Sequence, residues 1–233
     1  MKISIIIPTF NEAIGIESLI HYLKACIDGN TEIEIIVIDG GSTDNTFEIA
    51  LKANAKVFMS PKKGRAAQMN FGAAQASNDI LYFLHADSLP PKSFVNDILA
   101  STDLQYFAGC YRLAFDFSHW FLQLNCWFTR FDIDMIRFGD QSLFVKRDTF
   151  EKAGKFNEDL IVMEDSEIIP RIKKLTKFRV IDKSIVTSAR KYLDNGIFKL
   201  QFTFFLIFLF YKIGISQTNL IKVYKFLIRQ QKI

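Results

Sequence analysis

Acidic, basic and hydroxyl side chains in this sequence gather in short clusters that follow apolar runs, and each cluster suits a different piece of phosphate or hydroxyl chemistry. Asp39-Gly40-Gly41-Ser42-Thr43-Asp44 joins two acids and two hydroxyls to paired glycines, which permit positive φ and let backbone approach a ligand closely. Asp39 there suits a nucleobase or a ribose, with Gly41 and Ser42 beside it. The same string also reads as a loop in which Asp44 or Asn45 caps the next helix. Lys62, Lys63 and Arg65 surround Gly64 just ahead of a helical pattern. Cationic side chains and a helix N-terminus together favour a diphosphate, although a solvated basic turn has the same composition.

His85-Ala86-Asp87 closes a hydrophobic run, so the Asp87 carboxylate leaves a low-dielectric wall and calls for a cationic partner. Mg²⁺ or Mn²⁺ shared between Asp87 and phosphate oxygens meets that need with a single protein carboxylate. His85 is either a second ligand or a hydrogen-bonded structural residue. Met163-Glu164-Asp165-Ser166-Glu167 sets adjacent carboxylates at a helix head. Neighbours on a helix point about 100° apart, so one of the pair braces while the other faces a cleft. The cleft-facing acid can take a proton from an acceptor hydroxyl; the alternative is charge complementarity with the helix N-terminus. Pro170 limits how far upstream that helix begins.

The elements that must position these clusters follow from hydrophobic periodicity. Residues 3–7, 33–38, 55–59 and 80–84 read as strands. Between them, Ile14, Ile16, Leu19, Ile20, Leu23 and Ile27, then residues 45–53 and 65–76, read as helices. Alternating strands and helices predict an α/β fold with a mostly parallel sheet and helices on both faces, with ligands bound outside the strand C-termini. Asn11 and Glu12, residues 39–44, residues 62–65 and Asp87 fall at four successive strand ends. Beyond Pro90-Pro91 the pattern is less regular: a β-segment at 106–117, an aromatic helix at 119–131, a strand at 142–146 and a helix around 167–175. This half is expected to build the acceptor side.

The chain has 233 residues, 49% hydrophobic and 23% charged, which suits one large domain with or without an appendage. It excludes a disordered tail protein, a small stapled scaffold and a polytopic membrane protein. The net charge of +4 hides an asymmetry: up to Pro170, 15 Lys and Arg face 23 Asp and Glu, whereas from Arg171 onward 14 face 2. Such a basic annex suits nucleic acid or anionic lipid, and the run of 12 residues at 200–211, LQFTFFLIFLFY between Lys199 and Lys212, favours a membrane surface over nucleic acid. The run is shorter than the about 20 apolar residues of a spanning helix, and a buried helix closing the core is the other reading. The N-terminus lacks the long apolar stretch of a secretion signal. Cys26, Cys110 and Cys126 are odd in number and lack zinc spacing, as expected for reduced cytosolic thiols. The phosphate signatures GxGxxG and GxxxxGK[ST] are missing.

The strings SIIIPTFNE, VIDGGSTD, GRAAQMNFGA, FLHADS, FGDQSLFV, MEDSE and TSARKY occur in this order. With them the chain resembles the family 2 glycosyltransferases from Ile3 to about Tyr192, and within them the bacterial arsenosugar biosynthesis glycosyltransferases. The resemblance implies a GT-A, Rossmann-like fold on residues 1–192, divided into a nucleotide-sugar half (1–90) and an acceptor half (91–192), with residues 193–233 as a helical annex. It implies a nucleotide-sugar donor, a UDP-sugar favoured, a divalent metal, and inversion at the anomeric carbon. Pro8, Thr9, Asn11 and Glu12 then correspond to a nucleotide-contact loop, Asp39 to the uracil or ribose contact, and Arg65 and Gln68 to the diphosphate neighbourhood. HADS stands at the DXD metal motif, with His85 in place of its first acid and Asp87 as its last. Asp165 corresponds to the general base, Asp140 and Gln141 to the acceptor pocket beside His85 and Glu164, and Arg190 to a group holding the departing diphosphate. Tyr192 stands where tryptophan is more usual.

Three readings follow. The first is an inverting transferase acting on a small or lipid-linked hydroxyl, cytoplasmic, and either soluble or bound peripherally through residues 197–233 to the inner face of the membrane. The second has a polyprenyl phosphate acceptor. The third is a non-catalytic nucleotide-sugar-binding membrane adaptor. No nucleic-acid partner is expected.

Overall fold

A computed structural model of the chain describes residues 2–27 and 32–228; residues 229–233, the end of the expected annex, lie outside the described residues. The first half alternates as β1 (Ile3–Thr9), α1 (Ile16–Ala25), β2 (Ile33–Asp39), α2 (Thr46–Lys52), β3 (Lys56–Met59), α3 (Arg65–Gln75) and β4 (Ile80–Phe83). These four strands pair in parallel in the order β3-β2-β1-β4. Continuous isoleucine and valine runs serve here because both faces are covered and side chains alternate between them. Ile5, Ile7, Ile35 and Val37 join one core with the α1 stripe of Ile16, Leu19, Ile20 and Leu23. Ile6, Ile36 and Ile38 join the other, with Ala66, Met69 and Ala73 of α3.

The second half continues as β5 (Ser88–Leu89), α4 (Phe94–Asp103), β6 (Ala108–Phe115), α5 (Trp120–Phe128), two 3₁₀ turns (Asp134–Ile136 and Gly139–Gln141), β7 (Leu143–Lys146), α6 (Arg147–Lys152), α7 (Glu164–Lys173), β8 (Phe178–Thr187), α8 (Arg190–Asn195), α9 (Ile197–Lys212) and α10 (Gln217–Leu227). One sheet results, ordered β3-β2-β1-β4-β7-β6-β8-β5. The mostly parallel sheet expected from the sequence carries two reversed strands: β7 runs antiparallel to β4 and β6, and β5 antiparallel to β8. The reversal has a use. Leu143 pairs with Phe83, so the turn entering β7 lies beside the segment leaving β4.

Several elements depart from the sequence expectations. α4 fits none of the strands or helices expected; its Phe94, Val95 and Ile98 are buried in the first core while Asn, Asp, Ser and Thr break up the pattern around them. β8 alternates buried Phe178, Ile181 and Ile185 with exposed charges, and a register shift at Tyr111/Arg112 interrupts its pairing with β6. α7 begins at Glu164 and contains Pro170, so Pro170 does not delay the helix; the cost is one missing donor to the Ser166 carbonyl. The apolar run at 200–211 forms α9, whose Leu200, Thr203 and Ile207 are buried against Leu122, Tyr192, Leu220 and Tyr224. One face of α9 is therefore core, as the buried-helix reading expects. No helix among the described residues is long and apolar enough to cross a membrane.

The seat of α3 depends on Gly72, where an added Cβ would meet Ile6 Cγ2 at 2.5 Å and Ile38 Cγ1 at 3.0 Å. Gly72→Val is expected to lower stability by about 1–3 kcal/mol through overpacking, more than any gain in helix propensity returns. The denaturant midpoint of the purified chain checks this.

Candidate active site

β1 and β2 end side by side, Thr9 opposite Asp39, and the loops that follow are laced together. Asp39 is fully buried and its Oδ1 accepts the N–H groups of Gly41 at 2.8 Å and Ser42 at 2.7 Å. Gly41 has φ +90°, a turn that its lack of Cβ permits. Asn11, itself at φ +56°, donates its N–H to Ser42 Oγ at 2.9 Å and accepts the Thr43 N–H through Oδ1 at 2.8 Å. Thr46 Oγ1 accepts the Glu12 N–H at 2.8 Å, and Asp44 Oδ1 accepts the Thr46 N–H at 3.1 Å. The second Asp39 oxygen, Oδ2, is buried and takes no hydrogen bond from the described residues, which leaves an acceptor for an incoming N–H or O–H.

Opposite this floor, carboxylates from three separate segments close around Arg65 at the start of α3. Its Nη1 lies 3.2 Å from Glu164 Oε1 and 3.6 Å from Asp165 Oδ2, both at the head of α7. His85, leaving β4, places Nδ1 at 3.2 Å from Asp140 Oδ1 and Nε2 at 3.9 Å from Asp165 Oδ2. Met163 at φ +72° turns the chain into α7, and Ser166 Oγ donates to the Arg137 carbonyl at 2.6 Å, tying the helix head to the turn before β7. Gly139 sits in the gap: a Cβ there would lie 2.5 Å from His85 Nε2 and closer still to Asp165 Oδ2. Arg190, at the start of α8, reaches Glu12 Oε2 at 3.7 Å.

The protonation states follow from this crowding. Burial, and next the charge of Asp165, push Glu164 up to about 7, with Arg65 pulling the other way. Burial works against the Arg65 charge, but Glu164, Asp165, Asp140 and Asp87 outweigh it and hold the guanidinium firmly protonated. For His85, burial and Arg65 disfavour the cation, yet the bond to Asp140 and the charges of Asp165 and Asp140 raise its pKa above the ordinary histidine value. Desolvation of Asp140 is overcome by the His85 bond, the His85 charge, Arg65 and Lys191, and its pKa falls below the usual carboxylate range.

The structure thus gathers Glu164, Asp165, Asp140, Asp87 and His85 within electrostatic reach of Arg65, beside a hollow lined by His85, Gly139, Gln141 and Asp165. Asp87 is exposed, and its carboxylate makes no hydrogen bond or ion pair with the described residues. Among those residues no three His, Cys, Asp or Glu side chains form a ready-made metal cage. A single open carboxylate fits a hard divalent cation completed by phosphate oxygens and water, and not an all-protein cage.

Three of the expected site residues are held by partners within the protein. Gln68 is buried, and its amide donates to the carbonyls of Thr9 and Ile38, each at 2.8 Å, so it braces the two strand ends. Gln141 is also buried; its amide is held by Arg137, the Ile136 carbonyl and Cys110, so it shapes the turn, and it lines the pocket that His85, Gly139 and Asp165 also border. Glu164, nearly sealed from solvent, is paired with Arg65. Pro8 pairs with Ile38 inside the sheet, while Thr9 is buried and donates its hydroxyl to the Ile38 carbonyl at 3.3 Å. Gly139 and Arg137 are missed by residue-type reasoning. Arg137 is buried and donates to the carbonyls of Thr129 and Phe131. A lone arginine between Ile136 and Phe138 was the available signal.

Comparison with known proteins adds the following. The family model described as glycosyl transferase family 2 matches residues 4–147. Glucosyl-3-phosphoglycerate synthase of Mycobacterium tuberculosis is 31% identical over 125 residues, covering 47% of this chain and 38% of that protein. Dolichol-phosphate mannosyltransferase of Pyrococcus furiosus is 30% identical over 104 residues, covering 42% and 29%. The chain therefore matches less than two fifths of the length of these relatives. The mannosyltransferase PcManGT of Pyrobaculum calidifontis, solved with GDP-Man and Mn²⁺, superposes with a TM-score of 0.73 at 18% identity, covering 97% of this chain and 69% of that one. The 1–349 fragment of S. aureus TarS gives 0.68 at 21% identity, covering 86% and 64%. With a match running from β1 to the start of α6 and a superposition over nearly its whole length, the chain has the GT-A fold and belongs to glycosyl transferase family 2.

Proposed function

We propose that the chain is an inverting glycosyltransferase that moves a sugar from a nucleotide-sugar donor, a UDP-sugar favoured, to an acceptor hydroxyl in a single displacement assisted by Mg²⁺ or Mn²⁺. Residues 1–192 form the transferase unit and residues 193–233 the annex. The observation that carries this reading is the convergence of Asp87, Asp140, Glu164 and Asp165 on the Arg65 guanidinium. Support comes also from solved relatives whose complexes hold Mn²⁺ with GDP-Man or with UDP.

In this mechanism the nucleoside packs on the laced β1 and β2 loops, with buried Asp39 Oδ2 accepting from its base or ribose. Asp87 holds the divalent ion, which when bound offsets the charge of the diphosphate. Arg190, already at the donor loop through Glu12, holds the departing diphosphate. Asp165 takes the proton from the acceptor hydroxyl while that oxygen forms its bond to the anomeric carbon, and the bond from that carbon to the diphosphate oxygen breaks on the opposite face. Asp140 and His85 border the acceptor side. A polyprenyl phosphate is a second acceptor, favoured by the exposed aromatic side of α9 (Phe198, Phe202 and Phe205). Such an acceptor is already ionised and needs no base.

Asp165→Asn is expected to lower kcat by about 10²-fold or more while donor KM and thermal stabilisation by the donor persist. Screening nucleotide sugars and acceptors for product identifies the substrates on which to measure this. A variant that keeps parental kcat on a hydroxyl acceptor contradicts the assignment, and a small loss confined to phosphate acceptors favours the second reading.

Glu164 also makes stability depend on pH. Its pKa is raised to about 7 in the fold against 4.5 for an ordinary glutamate, so between these values the native chain binds more protons than the unfolded one. Stability therefore falls as pH rises through that window. Glu164→Gln is expected to flatten the decline, read from denaturant midpoints at the two ends of the window. Comparison with the parent separates this from His85, whose own contribution is lost at higher pH. An unchanged slope in the variant contradicts the assignment.

A further inference from the structure

α9 is apolar on the side turned away from the core as well as on the side within it. Phe198, Phe202, Phe205 and Leu209 are spaced four, three and four residues apart, which sets them in one stripe, and they are 58%, 60%, 57% and 42% exposed. α5 repeats the pattern with Trp120, Leu124, Trp127 and Phe128, which are 64%, 46%, 44% and 44% exposed. The two helices lie together. Phe198 packs on Phe121 with ring centroids 4.9 Å apart and on Trp120 at 6.3 Å, and Asn125 Nδ2 donates to Gln201 Oε1 at 3.4 Å. Their buried sides, Leu122 on one and Leu200 and Ile207 on the other, share a single core. The outward stripes form one broad aromatic surface, larger than scattered exposed residues produce.

The charges around this surface indicate what covers it. Neither α5, α9 nor α10 contains an Asp or Glu, and the sequence after Asp194 has none. Lys199 and Lys212 sit on α9, Lys222 and Lys225 on α10, and Arg130 stacks on the Trp127 ring at 4.6 Å. A second copy of the chain placed on this surface would set these cations against their own kind with no carboxylate on α5, α9 or α10 to pair with. An anionic lipid surface offers aromatic and aliphatic side chains a boundary region to enter, and gives the rim cations headgroups to pair with.

We propose that α5 and α9 together form a docking face for an anionic bilayer surface, with α5, a helix of the transferase unit, supplying half of it. This goes beyond a basic C-terminal tail and beyond the transfer reaction, since vesicle binding is measured without turnover. α8 links the face to the candidate active site. Its Arg190 pairs with Glu12, its Lys191 lies 5.0 Å from the centre of the Tyr224 ring, and its Tyr192 donates a hydrogen bond to Gln201 at 2.9 Å.

The chain's only two tryptophans, Trp120 and Trp127, are both on α5 and report directly on it. The full chain is titrated with vesicles of phosphatidylcholine alone and with added phosphatidylglycerol, in low and high salt. The expected result is a blue shift of tryptophan emission and quenching by brominated acyl chains on the anionic vesicles only, weakening with salt. Leu124→Glu on α5 and Phe202→Glu on α9 are each expected to weaken vesicle affinity by about tenfold or more, with melting curves close to the parent because both sites are exposed. The proposal is overturned by vesicle binding that leaves the tryptophans unchanged, by no preference for anionic lipid, or by an affinity untouched by either substitution. Self-association that the same two variants abolish, without vesicle binding, assigns the face to a second copy and also overturns it.

Discussion

The structure depends on the balance between one guanidinium and the carboxylates around it. Glu164 and Asp165 are adjacent at a helix head, and Asp140 and Asp87 act on the same guanidinium. Two like charges about 4 Å apart cost on the order of 4 kcal/mol near a protein surface before solvent screening, so such a group does not assemble without a counter-charge. Arg65 supplies it. The guanidinium, always charged and able to meet two carboxylates at once, reaches Glu164 and Asp165 through the same nitrogen. Glu164 responds by holding its proton toward neutral pH, which lowers the repulsion further and leaves Asp165 as the acid of the pair that faces the hollow.

Placing these groups within reach of one another is the work of the sheet. The parallel strands bring Asp39, the donor loops and the exit of β4 to one edge, and the reversed β7 brings Gly139 and Asp140 to the same edge from the other half. Gly139 then lets His85 and Asp165 approach across a gap that any side chain would fill. α3 brings Arg65, and its close approach at Gly72 fixes the height of the guanidinium over the sheet. In the proposed reaction the diphosphate of a nucleotide sugar would bring negative charge beside these carboxylates, and a divalent cation at the open Asp87 would offset it.

The first four strands and their helices were readable from the sequence because buried parallel strands appear as unbroken isoleucine and valine runs and the helices between them carry regular apolar stripes. α4 and β8 were not, since hydroxyl residues in one and outward charges in the other mask the buried positions. At the site, an acid after an apolar strand or at a helix head could be singled out by residue type alone. Gln68 and Gln141 show the limit: an amide near a motif looks like a ligand contact, and only the fold reveals that its donors go to backbone carbonyls such as those of Thr9 and Ile136. Gly139 carries no chemistry of its own, so its importance emerges only when His85 and Asp165 are seen on either side. The aromatic run of α9 meets the buried-helix reading on one face, while its other face leaves Phe198, Phe202 and Phe205 exposed.

The central claim is that Asp87 and a diphosphate share a divalent cation beside the Arg65 cluster. The most direct measurement is calorimetric titration of UDP and of GDP into the parent chain and into Asp87→Asn, each with and without Mn²⁺. The account predicts that Mn²⁺ tightens binding of the preferred nucleotide by about tenfold or more in the parent and has little effect in the variant. Equal binding with and without Mn²⁺ in the parent, or an undiminished Mn²⁺ effect in Asp87→Asn, would contradict it.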